Sequence, residues 1–246
     1  MALSSFLLVT SVFVLAGITK GIVGLGLPTV AMGVLAVALP PAEAAALLVL
    51  PSLVTNAWQA LDGPHLARLV RRLWPLNLGV CLGTWAGAAL LAGVGGRHGG
   101  LFLGIALMAY AGVGLSAARI SLPRAAEPVL GPLAGALTGG ITAATGVFVL
   151  PAVPYLQAIG LQKDELVQAL GLSFTVSTLA LAVALAGAET FTADLLPSSL
   201  LALAAALAGM RLGQAVRARL SARVFRLCFF TGLLVLGACL ALRGLA

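Results

Sequence analysis

Lys20 is the one charged side chain set deep within an apolar stretch, flanked by Thr19 and by Gly17, Gly21, Gly24 and Gly26. An unpaired ammonium at membrane depth costs about 3 kcal/mol or more on insertion scales, so it needs a partner. The acidic residues Glu43, Asp62, Glu127, Asp164, Glu165, Glu189 and Asp194 all fall at the ends of apolar segments or between them. That points to a bound anion or water as the partner. Nearby glycines let backbone N–H groups approach a ligand, and a half-helix beginning near Pro28 would aim its positive end at the same place. The competing reading has Lys20 snorkelling to an interface from a shallow break.

A second glycine-rich stretch, Thr138 to Gly146, offers the hydroxyls of Thr138, Thr142 and Thr145 and no charge. One ammonium and several neutral donors suit a polar oxyanion, although threonines in a helix also bond back to their own carbonyls. Ser52, Thr55, Asn56 and Gln59 stand at i, i+3, i+4 and i+7 and share a helix face. Gln168, Gly171, Thr175 and Thr178 form a matching stripe with Ser173 and Ser177 beside it. Such stripes line a pathway or hold helices together by hydrogen bonds. The candidate substrate-binding set is Thr19, Lys20, Gly21, Asn56, Gln59, Thr142, Thr145, Gln168, Ser173 and Thr175. Catalysis is not expected, because the chain has no G-x-S-x-G, H-E-x-x-H or C-x-x-C and no intramembrane carboxylate pair. His65 and His98 sit in different loops, and Cys81, Cys228 and Cys239 read as small core hydrophobes. No metal or cofactor is expected.

The elements that must position these residues are apolar spans. Of 246 residues 61% are hydrophobic and 9% charged, against about 25% charged in soluble domains. That excludes a soluble domain, and the scattered basic residues exclude a nucleic-acid binder. A bilayer core about 30 Å thick takes about 20 helical residues. Eight segments qualify: Ser4 to Leu39, Ala42 to Leu61, Leu73 to Val94, Gly99 to Ala118, Val129 to Ile159, Leu166 to Gly187, Leu195 to Val216 and Val224 to Leu242. The first and fifth are too long for one crossing and are interrupted by Gly, Pro and polar residues. Cleavage of the N-terminus as a signal peptide is not expected, since a basic n-region and a clear cleavage site are missing.

Each interrupted segment opens one half of the chain, 1–119 and 120–246, and is followed by three ordinary spans. Gly17 and Gly21 match Gly135 and Gly139 in spacing, and Pro28 and Pro151 follow each tip. In the third spans Pro75 with Gly87 parallels Pro197 with Gly209. Gly79, Gly83 and Gly87, and Ala205, Gly209 and Gly213, give those spans small-residue faces for close packing.

If every segment crossed once, the basic residues would divide almost evenly between the two sides. If the interrupted segments return to the side they entered, Arg68, Arg71, Arg72, Arg119, Arg124, Lys163, Arg211, Arg217, Arg219, Arg223 and Arg226 fall together. Only Arg97 and Arg243 then face them. Short basic loops stay cytoplasmic, so the expected fold is an all-α polytopic membrane protein of two inverted repeats, each a re-entrant or broken helical hairpin followed by three transmembrane helices. Both termini lie outside, and the two discontinuous helices meet near the midplane. Trp58 and Trp74 read as interfacial belt residues near the cytoplasmic end.

Gly17-x-x-Lys20-Gly21-x-x-Gly24-x-Gly26-x-Pro28, the stretch from Gly139 through Gly146 to Pro151 and Pro154, and Gln168 to Ser177 together resemble the TauE/SafE sulfite exporter family over nearly the whole chain. Gly24-Leu25-Gly26-Leu27 departs from the consecutive glycines usual there, and so does Lys20. The resemblance implies a permease of the inner membrane that moves a small, often sulfur-containing anion such as sulfite or a sulfonate. The alternative is a non-transporting scaffold or assembly protein. The expected partners are a small anion, membrane lipids and, as a homo-oligomer, further copies of the chain.

Overall fold

In an apolar solvent, backbone N–H and C=O groups have only each other to bond, so each apolar run becomes one helix unless glycine and proline interrupt it. The computed structural model describes residues 3–91, 95–116, 121–187, 195–217 and 222–245. The first run forms α1 (Leu3–Val23) and the short α2 (Leu27–Leu35), followed by α3 (Pro41–Leu61), α4 (Leu66–Leu91) and α5 (Gly95–Leu115). The fifth run forms α6 (Glu127–Thr145) and α7 (Ala152–Ala158), followed by α8 (Lys163–Gly187), α9 (Leu195–Arg217) and α10 (Ala222–Leu245). Among the described residues there is no strand. The expected Arg119, Glu189, Asp194, Arg219 and the boundary between the halves lie outside the described residues.

Both breaks fall where the sequence places them. Gly24 and Gly26 adopt φ of 83° and 105°, and Gly146 adopts 69°, a region in which any Cβ is strained. Pro28 sits in the first turn of α2, where its missing N–H costs nothing. Phe6–Val23, Ala42–Leu61, Asp164–Gly187 and Leu195–Val216 are long and apolar enough to cross a membrane by length and composition. Leu61, Trp58 and Trp74 face outward, as a lipid-exposed surface allows. The chain is an all-α, multi-pass membrane protein.

Helix contacts repeat between the halves. α1 runs alongside α9 in the same direction, with Gly17 against the Ala206 carbonyl, Gly21 against Met210, Gly209 against Val14 and Gly213 against Ile18. α6 runs alongside α4 likewise, with Gly135 against Leu76, Gly139 against Val80, Gly79 against Pro132 and Gly83 against Ala136. A Cβ at any of these eight glycines would stand 2.0 to 2.3 Å from a carbonyl oxygen, so only hydrogen permits the crossings. The contacts superimpose when Gly17 is matched to Gly135 and Leu76 to Ala206.

That correspondence corrects the third-span alignment. Gly209 is the counterpart of Gly79, two turns before Gly87, because backbone contact fixes the register whereas a proline near a helix start tolerates several depths. Gly87 meets Gly140 and Ala143 farther along α6.

Helices of the same rank pair with each other head to tail. Gly63, just past the end of α3, lies against Gln168 while Gly171 lies against Gln59 and Ala60, so α8 is antiparallel to α3. Gly104 meets Gly237 and Ala241 while Gly244 meets Leu101, so α10 is antiparallel to α5. α2 and α7 lie inside the bundle, with Leu27, Met32, Leu35, Val153 and Leu156 buried. Gly146 approaches Met32, which brings the second break against the first short helix. Two lesser expectations change: His98 belongs to the first turns of α5 rather than to a loop, and Cys239 lies on the outer face rather than in the core. Small apolar side chains satisfy lipid and core equally, so periodicity does not separate the two.

Candidate functional site

The last turn of α1 carries Lys20, held close to its neighbours by the glycine crossing with α9. The side chain is 3% exposed and turns into the bundle rather than out to an interface. Its Nζ donates to Thr55 Oγ1 at 3.1 Å and to Asn56 Oδ1. The expected partner was an anion or water; two neutral oxygens of α3 take that place here. They accept hydrogen bonds without neutralising the charge. The ion pairs among the described residues, Arg68 with Glu165 and Arg72 with Glu127, do not involve Lys20.

An ammonium only donates, so Asn56 must turn its oxygen to Lys20 and its Nδ2 away. That Nδ2 is buried without a partner. Ser52, one turn earlier on the same face of α3, has a buried Oγ that also lacks a partner. Thr55 donates its own O–H to the Pro51 carbonyl at 2.7 Å. On the antiparallel α8, Ser173 Oγ is a third buried group without a partner. Buried polar groups are nearly always hydrogen-bonded, so these orphans mark where a polar ligand or water would sit. A Cβ at Gly24 would enter open space, which leaves the end of α1 approachable one turn beyond Lys20.

The other candidates are arranged differently. Thr19, Thr142, Thr145 and Thr175 donate to the carbonyls of Leu15, Thr138, Ile141 and Gly171, the back-bonded alternative. Thr145 also accepts the Val147 N–H at 3.1 Å and so braces the second break. Gly21 serves the α1–α9 crossing. Gln59 donates to the Val167 carbonyl at 2.8 Å. Gln168 donates to Ala60 and Gly63, each at 2.8 Å, and accepts the His65 N–H at 3.0 Å, which engages its amide with the turn after α3. The structure thus brings Lys20 and Asn56 together and adds Thr55 and Ser52, which the candidate set omitted although both lie in the polar stripe. Asn77, a buried carboxamide on α4 whose Oδ1 has no partner, was also passed over. Its signal was plain: an amide within an apolar run.

At the start of α4 lies a cavity of about 550 Å³ lined by Arg68, Arg72, Arg124, Glu127, Gln162 and Glu165. Arg72 grips Glu127 through two bonds of 2.9 and 2.6 Å and donates to the Ile159 carbonyl at 2.9 Å, which ties α4 to α6 and the end of α7. The Arg72 hydrogen bond holds the Glu127 carboxyl below the usual carboxylate range, and Glu127 in turn raises Arg72. The counterparts of Arg72 and Glu127 under the same correspondence are Ala202 and Val9, both buried. One end of the bundle is tied by ions and the other by apolar contact.

The sequence model of the family described as Sulfite exporter TauE/SafE matches residues 9–240. No curated protein and no solved structure matches the chain.

Proposed function

The chain belongs to the sulfite exporter TauE/SafE family and is a membrane transporter rather than an enzyme, and on that basis we propose that it moves a small sulfur oxyanion or organosulfonate through the site at Lys20. The observation that carries this reading is the buried ammonium of Lys20, which meets only neutral oxygens, while Asn56 Nδ2 and, one turn earlier on the same face of α3, Ser52 Oγ are buried without partners. One uncompensated positive charge with neutral donors around it is what an oxyanion requires.

The reading places the chain in the inner membrane, with both termini outside and halves 1–119 and 120–246 as inverted repeats of a single membrane domain. The head-to-tail pairing of α3 with α8 and of α5 with α10 supports inversion, because a two-fold axis in the membrane plane reverses every helix it relates. Thr142, Thr145, Gln59, Gln168 and Thr175 then shape the walls and turns around the pathway.

Uptake of radiolabelled sulfite, thiosulfate, sulfoacetate and a non-sulfur carboxylate into proteoliposomes tests the proposal. Flux of a sulfur anion that falls at least tenfold in Lys20→Gln is the expected result. Flux of no anion, or flux indifferent to the substitution, overturns it.

A further inference from the structure

We infer that the Lys20 site selects singly charged oxyanions over doubly charged ones, so that sulfite travels as hydrogen sulfite. The inference rests on the proposed role of Lys20 and adds the charge of the substrate. Among the described side chains Lys20 is the only buried cation. Arg71, Arg124, Arg211 and Arg243 are exposed, and Arg68 and Arg72 are engaged by Glu165 and Glu127. The remaining donors at the site, Asn56 Nδ2 and Ser52 Oγ, are neutral.

A monoanion therefore brings the site to neutrality. A dianion leaves one negative charge uncompensated in a medium that solvates it poorly, which is the penalty that keeps unpaired charges out of apolar interiors. Two of the donors converge through one residue: Asn56 accepts from Lys20 through its oxygen and so presents its N–H beside the ammonium. Ser52, a turn away on the same face, suits a second oxygen of the same anion. Such a site reads several oxygens that share one charge, as in a sulfonate or hydrogen sulfite.

Sulfate and methanesulfonate are both tetrahedral and close in size, and differ in charge. In wild-type proteoliposomes taking up radiolabelled methanesulfonate, unlabelled methanesulfonate should compete at least tenfold more strongly than sulfate. Equal competition by sulfate, with flux still dependent on Lys20, overturns the charge selection and leaves the transport reading standing. Absence of saturable uptake of any anion overturns the transport reading itself and the inference with it. Ser52→Ala should raise KM for methanesulfonate severalfold with the preference over sulfate retained; an unchanged KM overturns the assignment of Ser52 as a donor.

Discussion

Lys20 and Thr138 occupy the same place in the two halves: each directly precedes the glycine, Gly21 or Gly139, that lies against a backbone carbonyl of the crossing helix. Their side chains do different work. Thr138 donates to the Ala134 carbonyl at 2.7 Å and accepts the Ala152 N–H at 3.0 Å, so it holds the start of α7. Lys20 reaches across to α3 instead, and no side chain caps the start of α2. A shared scaffold thus carries a structural hydroxyl in one half and a charge in the other.

Thr138→Val keeps the shape but leaves the Ala152 N–H buried without an acceptor. Such a loss costs about 1–3 kcal/mol. Thermal unfolding in detergent should show that destabilisation in Thr138→Val and recover most of it in Thr138→Ser. Equal stability of the Val variant and the wild type would remove Thr138 from this role.

The glycine crossings make a sharper contrast. Gly83→Ala puts a Cβ 2.1 Å from the Ala136 carbonyl, so α4 and α6 must separate, at about 1–3 kcal/mol for overpacking. Gly112→Ala on α5 meets nothing within 4 Å and should be neutral or stabilising by up to about 1 kcal/mol. Thermal unfolding of the two variants in parallel checks the pair.

Much of this fold was legible because its signals are local. Each uninterrupted apolar run became one helix, and the two interrupted runs broke at Gly24 to Gly26 and at Gly146, where a left-handed backbone favours glycine. Lys20 stood out for the same reason, as a charge within an apolar run. What was not legible depends on which helices touch. Gln168 and Asn56 are both amides on polar stripes, yet Gln168 spends its groups on the turn after α3, and Asn56 keeps its Nδ2 free of protein partners. Spacing along a helix ranks the two alike; the partner helix separates them. The third-span register failed similarly, since Gly79 and Gly87 differ only in what α6 presents to each.

The difference between those amides is measurable. Gln168→Leu removes three hydrogen bonds around the α3–α4 turn and should lower stability by about 2–4 kcal/mol, from net losses near 1 kcal/mol per bond plus the groups left unpaired. The folded fraction should retain the wild-type KM for the transported anion. Asn56→Leu should raise KM at least tenfold, since it removes both the donor and the group that orients Lys20. A KM change in Gln168→Leu as large as that in Asn56→Leu would place Gln168 in the site after all.

The ion pair between Arg72 and Glu127 predicts a pH dependence with a defined sign. Its carboxyl is held below the usual carboxylate range in the folded protein, so the unfolded chain takes up the proton first. The stabilisation is therefore fully present above the ordinary glutamate value of about 4.3 and is lost as pH falls through the lower folded value. Glu127→Gln should unfold more easily than the wild type at pH 7, by about 1–2 kcal/mol for a partly buried bidentate pair. The gap should begin to narrow as pH falls below that ordinary glutamate value and go on narrowing toward the lower folded value. Glu165→Gln provides the contrast, because Arg68 is 62% exposed in its pair and solvent screens the interaction. That variant should lie within about 0.5 kcal/mol of the wild type at pH 7. Unfolding midpoints of the three proteins from pH 3.5 to 8 decide the matter: a gap for Glu127→Gln that is independent of pH would mean that lost packing, rather than charge, ties α4 to α6.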